Sequence, residues 1–118
     1  MKLRLIRDKY SKVRGGKSKL IYVICIRCKN KVLFYQKDGP GWLKRCYLNR
    51  ILWPEKYAAL QHDKRIKTPE DIPKLTCSSC KSVIGIPARH KDGRLAFTLI
   101  RGKFKRITLK QSPNTNEN

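Results

Sequence analysis

The chain has 118 residues, with 29 Lys and Arg against 8 Asp and Glu, a formal net charge of +21. That length suits one domain, and a hydrophobic content of 40% is enough for a modest core, which excludes wholesale disorder. No apolar run approaches the roughly 18 residues that span a bilayer, and Lys2, Arg4 and Arg7 interrupt what a signal peptide keeps apolar, so the expectation is an intracellular, cytoplasmic protein.

So much like charge repels itself, which favours a polyanionic partner, nucleic acid ahead of an anionic membrane surface. The charge is spread along the chain. Residues 1–19 hold 8 basic and 1 acidic side chains, residues 20–88 hold 13 and 5, and residues 89–110 hold 8 and 1.

In chain order, residues 1–19 read as a basic N-terminal arm or edge strand, with Leu3 and Leu5 alternating with Lys2 and Arg4. Ser11–Ser18 nearly spells a phosphate-binding loop. However, Ser11 stands where the first glycine belongs, and no amphipathic helix follows, so nucleotide hydrolysis is rejected. Residues 19–26 are rich in β-branched and aromatic types and predict a buried strand, and residues 31–36 predict a second. Asp38-Gly39-Pro40-Gly41 breaks it. Residues 42–52 fit helix or strand equally. Pro54 and Glu55 open a short helix over 54–61, and residues 62–74 read as a loop. Three further strands are expected at 82–88, 94–100 and 104–109, with hairpin turns at Lys91-Asp92-Gly93 and Gly102. The polar residues 111–118 read as a disordered tail. Residues 20–110 are thus expected to form one mainly β domain.

Cys25-Ile26-Arg27-Cys28 and Cys77-Ser78-Ser79-Cys80 are two C-x-x-C pairs, each beside a strand and trailed by small or polar residues. A two-residue gap turns both thiolates toward one point, and two such knuckles supply the four soft ligands that tetrahedral zinc accepts. One structural Zn2+ is therefore expected on Cys25, Cys28, Cys77 and Cys80. Disulfides would imply export, a redox pair would need a βαβ context, and an iron–sulfur cluster uses the same ligand type with tighter clustering. Cys46 is expected to be a buried inert thiol and His62 and His90 surface residues.

The order of one knuckle, about fifty residues, then a second knuckle followed by Val83-Ile84-Gly85-Ile86 resembles the zinc-binding β-tent group. That group includes yippee proteins, the small Rab-interacting zinc chaperone, the thalidomide-binding domain of cereblon and zinc-containing methionine sulfoxide reductases. The resemblance implies two antiparallel sheets pinned by one zinc and, as one function, a protein-interaction module or chaperone engaging an acidic protein. Yippee-type chains place Leu-Gly-Trp where Ile84-Gly85-Ile86 stands. The reductase activity would want a cysteine after Cys80, and the cereblon ligand cage more tryptophans than Trp42 and Trp53.

Lys37–Arg45 joins glycines that admit an anion to the backbone, the cations Lys37, Lys44 and Arg45, and Trp42 as a stacking face, with Arg50 close behind. These five are the candidate nucleic-acid contacts, against the alternative of an ordinary turn whose tryptophan covers the core edge. No carboxylate pair or serine–histidine–acid set points to catalysis, so a binding protein is expected rather than an enzyme. RNA is preferred over DNA because no recognition-helix motif is present, and a ribonucleoprotein such as the ribosome is the expected setting.

Overall fold

The computed structural model describes Ile6, Asp8 and residues 18–109. The arm as a whole, the near-phosphate loop at 11–17 and the tail at 111–118 lie outside the described residues.

The chain forms two four-stranded antiparallel sheets around a shared core. Sheet A has the order β4 (Ile51–Trp53), β2 (Lys31–Lys37), β1 (Lys19–Cys25) and β8 (Phe104–Thr108), and sheet B the order β3 (Arg45–Tyr47), β7 (Leu95–Leu99), β6 (Val83–Arg89) and β5 (Leu75–Thr76). The expected strand at 19–26 is β1 (Lys19–Cys25), and the one at 31–36 is β2 (Lys31–Lys37). Their alternation sends Ile21, Val23, Leu33 and Tyr35 into the core.

The ambiguous stretch at 42–52 resolves into three pieces of three residues each. These are β3 (Arg45–Tyr47), a 3-10 turn (Leu48–Arg50) and β4 (Ile51–Trp53). β3 lies in sheet B and β4 in sheet A, so the 3-10 turn carries the chain from one layer to the other. The expected helix is α1 (Glu55–Ala58), continued as a 3-10 turn over Ala59–His62. The amides of Tyr57 and Ala58 donate to the carbonyl of Pro54, the residue before the helix, at 3.0 and 2.9 Å. Tyr57 turns inward and meets Phe97 edge-on at 5.6 Å.

The segment read as loop contains a 3-10 turn at Pro69–Asp71 and then the two-residue strand β5 (Leu75–Thr76). Strands β6 (Val83–Arg89), β7 (Leu95–Leu99) and β8 (Phe104–Thr108) match the three expected late strands. Lys91-Asp92-Gly93 does turn the β6–β7 hairpin, closed by His90 N–H to the Arg94 carbonyl at 2.8 Å. Gly102 does not close a hairpin. β7 pairs with β3 and β6, whereas β8 pairs with β1 across the other sheet, so this turn transfers the chain between layers.

Core side chains from both sheets interdigitate: Ile21, Val23, Leu33 and Ile51 from one, Cys46, Leu75, Ile84 and Phe97 from the other, all essentially fully buried. Each such large aliphatic or aromatic contributes about 1.5–3 kcal/mol by leaving water. The layers are also tied by polar contact, since the Tyr47 amide donates to the Tyr35 hydroxyl at 2.8 Å. Gly85 lets β6 and β7 close up. A Cβ there would lie 3.2 Å from Phe97 Cβ and 3.3 Å from the Thr98 carbonyl oxygen.

Candidate metal centre and basic surface

The two C-x-x-C pairs occupy the tips of two hairpins, β1–β2 in sheet A and β5–β6 in sheet B. Both tips use the same bonds. Cys25 N–H donates to the Asn30 carbonyl and Lys29 N–H to the Cys25 carbonyl, each at 2.9 Å. Cys77 N–H donates to the Ser82 carbonyl and Lys81 N–H to the Cys77 carbonyl, again at 2.9 Å. Lys29 and Lys81 take left-handed φ values of 66° and 67°, a conformation uncommon outside glycine. Each lysine then bends its ammonium back to its own knuckle, Lys29 Nζ to the Ile26 carbonyl at 3.2 Å and Lys81 Nζ to the Ser78 carbonyl at 2.9 Å. The shared C-x-x-C-Lys spelling was the sequence signal for this device.

All four sulfurs lie within 4.8 Å of one another. Across the knuckles, Cys25 Sγ is 3.6 Å from Cys80 Sγ, and Cys28 Sγ is 3.4 Å from Cys77 Sγ. A tetrahedral metal with bonds of about 2.3 Å spaces its sulfurs about 3.8 Å apart, so this cluster is close to the required cage. The cysteines are free thiols, not disulfides. Cys25 and Cys77 are buried, Cys80 is half-buried and Cys28 is exposed, so the cluster sits at the rim between the sheets. Asn30 Nδ2 crosses from one knuckle to the other, 3.2 Å from Ser78 Oγ and 3.8 Å from Cys77 Sγ.

The thiols differ in acidity. Bonds from the Ser82 hydroxyl and then the Ser82 amide pull Cys80 down to about 6. At Cys77, burial is overcome by the amides of Cys80 and Ser79 and by Cys28, so it too is lowered. At Cys28 the Asn30 amide favours the thiolate, but burial and the neighbouring sulfurs outweigh it and push the thiol up to about 11. A further thiolate in this cluster faces negative charge already present, which a bound dication would offset. Cys46 lies apart from the cluster in the core, its thiol pushed well up by burial. His62 and His90 are not part of the cluster; His90 packs edge-on against Tyr47 at 5.5 Å.

Of the five residues proposed from sequence for nucleic acid, Lys37, Trp42, Lys44 and Arg45 line one cleft and Arg50 does not. Trp42 is 83% exposed and does not cover the core edge. Lys44 is exposed and Arg45 half-buried, and together with Trp42 and Arg94 they line a cleft of about 50 Å³. Arg94 is an addition to the set. Its guanidinium lies 3.6 Å from the Tyr47 ring centre, with Asp92 3.0 Å away.

Arg50 is a correction, and Lys37 lines the cleft from a largely buried position. Lys37 is buried, its ammonium 2.7 Å from the Gly39 carbonyl. Arg50 is only 1% exposed, and its fork holds Asp8 at 2.6 and 2.9 Å while Nε holds Asp38 at 2.7 Å. A guanidinium committed to two carboxylates offers nothing to an external phosphate. Gly39 and Gly41, at φ of 77° and 102°, form the turn that brings Asp38 back over Arg50.

No helix among the described residues is long and apolar enough to cross a membrane. No protein-family model, curated protein or solved structure matches the chain.

Proposed function

We propose that the chain is a structural-zinc protein that binds RNA as a component of a ribonucleoprotein. The observation that carries the RNA reading is unneutralised charge. Eight carboxylate side chains cannot balance 29 cations, and Asp8, Asp38, Asp63 and Asp92 are already paired with Arg50, Arg65 and Arg94. The remaining cations require a polyanion or a dense counterion atmosphere, and RNA releases that atmosphere on binding. Zinc fits the metal centre because four thiols within 4.8 Å of one another offer the full soft ligand set of a d10 dication, and a complete set leaves no open position, which supports a structural rather than a catalytic role. One zinc per chain by elemental analysis, lost in Cys77→Ser together with cooperative unfolding, tests that half of the reading. An unchanged melt after chelation overturns it.

The RNA half is tested by titrating single-stranded RNA across salt concentrations. Binding should weaken steeply, and Lys44→Ala and Arg45→Ala should each flatten the logarithmic slope by about 0.7. Arg14→Ala and Lys17→Ala, in the stretch outside the described residues, serve as comparisons. If all four variants act alike, the whole basic surface binds and the 37–45 loop has no special part. Absence of binding near physiological salt overturns the RNA reading. The β-tent resemblance then makes an acidic protein the partner.

A further inference from the structure

One surface was invisible in the sequence because strand register creates it. Phe34 pairs with Trp53 on β4 and with Tyr22 on β1, and Tyr22 pairs with Ile107 on β8. Cross-strand partners share a face, so Trp53, Phe34, Tyr22 and Ile107 form one line across all four strands of sheet A. The line lies on the side away from the core, because the neighbouring Ile21, Val23, Leu33 and Tyr35 point inward. A register shift between Phe34 and Tyr35 allows Ile51 to face the core while Trp53, two residues on, faces out.

Trp53 is 46% exposed and Ile107 44%, Tyr22 is partly exposed, and Phe34 fills the floor between them, 4.8 Å from the Tyr22 ring. Cations flank the line. Lys31 Nζ lies 4.5 Å from the Tyr22 ring centre, and the exposed Lys105 pairs with Ile24, two residues along β1 from Tyr22 and therefore on the same face.

We infer that this outer face of sheet A is a stacking platform for the unpaired bases of single-stranded RNA, with Trp53 and Tyr22 as the stacking rings and Lys31 and Lys105 as phosphate contacts. The inference rests on the RNA reading above and gives it a surface separate from the 37–45 loop. Aromatic rings on a sheet accept any base through its π face, while a basic margin tracks the backbone. A base arriving on Tyr22 takes the place of the Lys31 ammonium over the ring, freeing that cation for the adjacent phosphate. The face offers rings and cations together, which favours a partner that carries flat apolar faces and anions at close spacing. Single-stranded RNA uses both.

The chain holds two tryptophans, so Trp42→Phe leaves Trp53 as the sole indole reporter. The probe is an oligouridylate of about 12 nucleotides, within the span such surfaces cover. Expected are quenching of Trp53 emission in Trp42→Phe and a loss of affinity of roughly 5- to 150-fold in Trp53→Ala and in Tyr22→Leu, with the salt slope unchanged. Ile107→Glu, at an exposed position, puts a carboxylate in the line and should weaken binding by a similar factor; it keeps the test decisive if Trp53→Ala lowers stability. Zinc content and the urea midpoint check each variant for folding. If wild type binds while Trp53 emission stays unmoved and the variants bind within about twofold of it, well short of the loss expected for a stacked base, the platform is overturned and the RNA reading stands. A duplex RNA of equal length that binds as tightly and quenches Trp53 equally also overturns it. If the wild type binds no RNA at all, both fall together.

Discussion

Replacing Arg50 by methionine should cost about 3–5 kcal/mol of folding stability, the range for removing one partner of a buried ion pair. Two carboxylates lose their cation, and they do not lose equally. Asp8 remains partly exposed and can rehydrate, whereas the Asp38 side chain is only 7% exposed. After the substitution Asp38 keeps the Ser18 hydroxyl at 2.6 Å and Gln36 Nε2 at 2.9 Å but has no counter-charge. Most of the loss therefore belongs to Asp38, and Asp8→Asn alone should cost nearer 1 kcal/mol. The double variant Arg50→Met with Asp38→Asn should recover most of the loss, because a neutral amide in that pocket needs no cation. Urea unfolding of the four proteins at neutral pH, with metal present, measures this directly. Against a domain stability of about 5–15 kcal/mol the effect is large. A single-variant cost below about 1 kcal/mol, the level of an exposed pair, refutes the reasoning, as does a double variant no more stable than Arg50→Met.

Cys46→Ala should keep full zinc content and lose about 1 kcal/mol, because its sulfur fills core space away from the cluster; metal loss measured by elemental analysis would show the ligand set to be wrong. Gly85→Ala should destabilise by about 1–3 kcal/mol in urea melts, since its new methyl meets Phe97 Cβ and the Thr98 carbonyl oxygen on the adjacent strand; an unchanged midpoint contradicts the close approach. Burial raises the Asp38 carboxyl, but bonds from Ser18, Gln36 and Arg50 overcome it and hold its pKa below the ordinary value. A depressed folded pKa gives stability that is present above the unfolded value of about 3.9 and lost as pH falls through the folded one. The stability gap between wild type and Asp38→Asn should thus hold steady from neutral pH to about 5 and shrink below about 4. Acid release of metal affects both proteins and cancels in the difference, and a gap that widens on acidification refutes the assignment.

The long strands were legible because each carries a run of β-branched and aromatic residues longer than its turns, as Lys19–Cys25 and Leu95–Leu99 do. The knuckles were legible because C-x-x-C encodes its geometry locally. What failed was non-local. Residues 45–53 hold three elements of three residues each, too short for any periodic pattern to repeat, and only their different sheets explain them. Leu75–Thr76 is a strand by virtue of its partner Val83–Gly85, not of its own two residues. Arg50 looked like a surface cation because its carboxylates lie 12 and 42 positions away. The line from Trp53 to Ile107 depends on three strand registers at once.

The two halves of the metal cage are also separated in time. Cys28 and its neighbour across the cage, Cys77, are 49 positions apart in the chain. At a synthesis rate of roughly 5–20 residues per second, the first thiol pair is made about 2–10 s before the second begins. During those seconds Cys25 and Cys28 are a two-thiol half-site on an unfinished chain, able to hold a metal only with borrowed ligands. Closure waits for Cys80, by which point three of the five strands already made, β1, β3 and β5, still lack a sheet neighbour, namely β8, β7 and β6. The four thiols are therefore all made before β6, β7 and β8, the strands that complete both sheets.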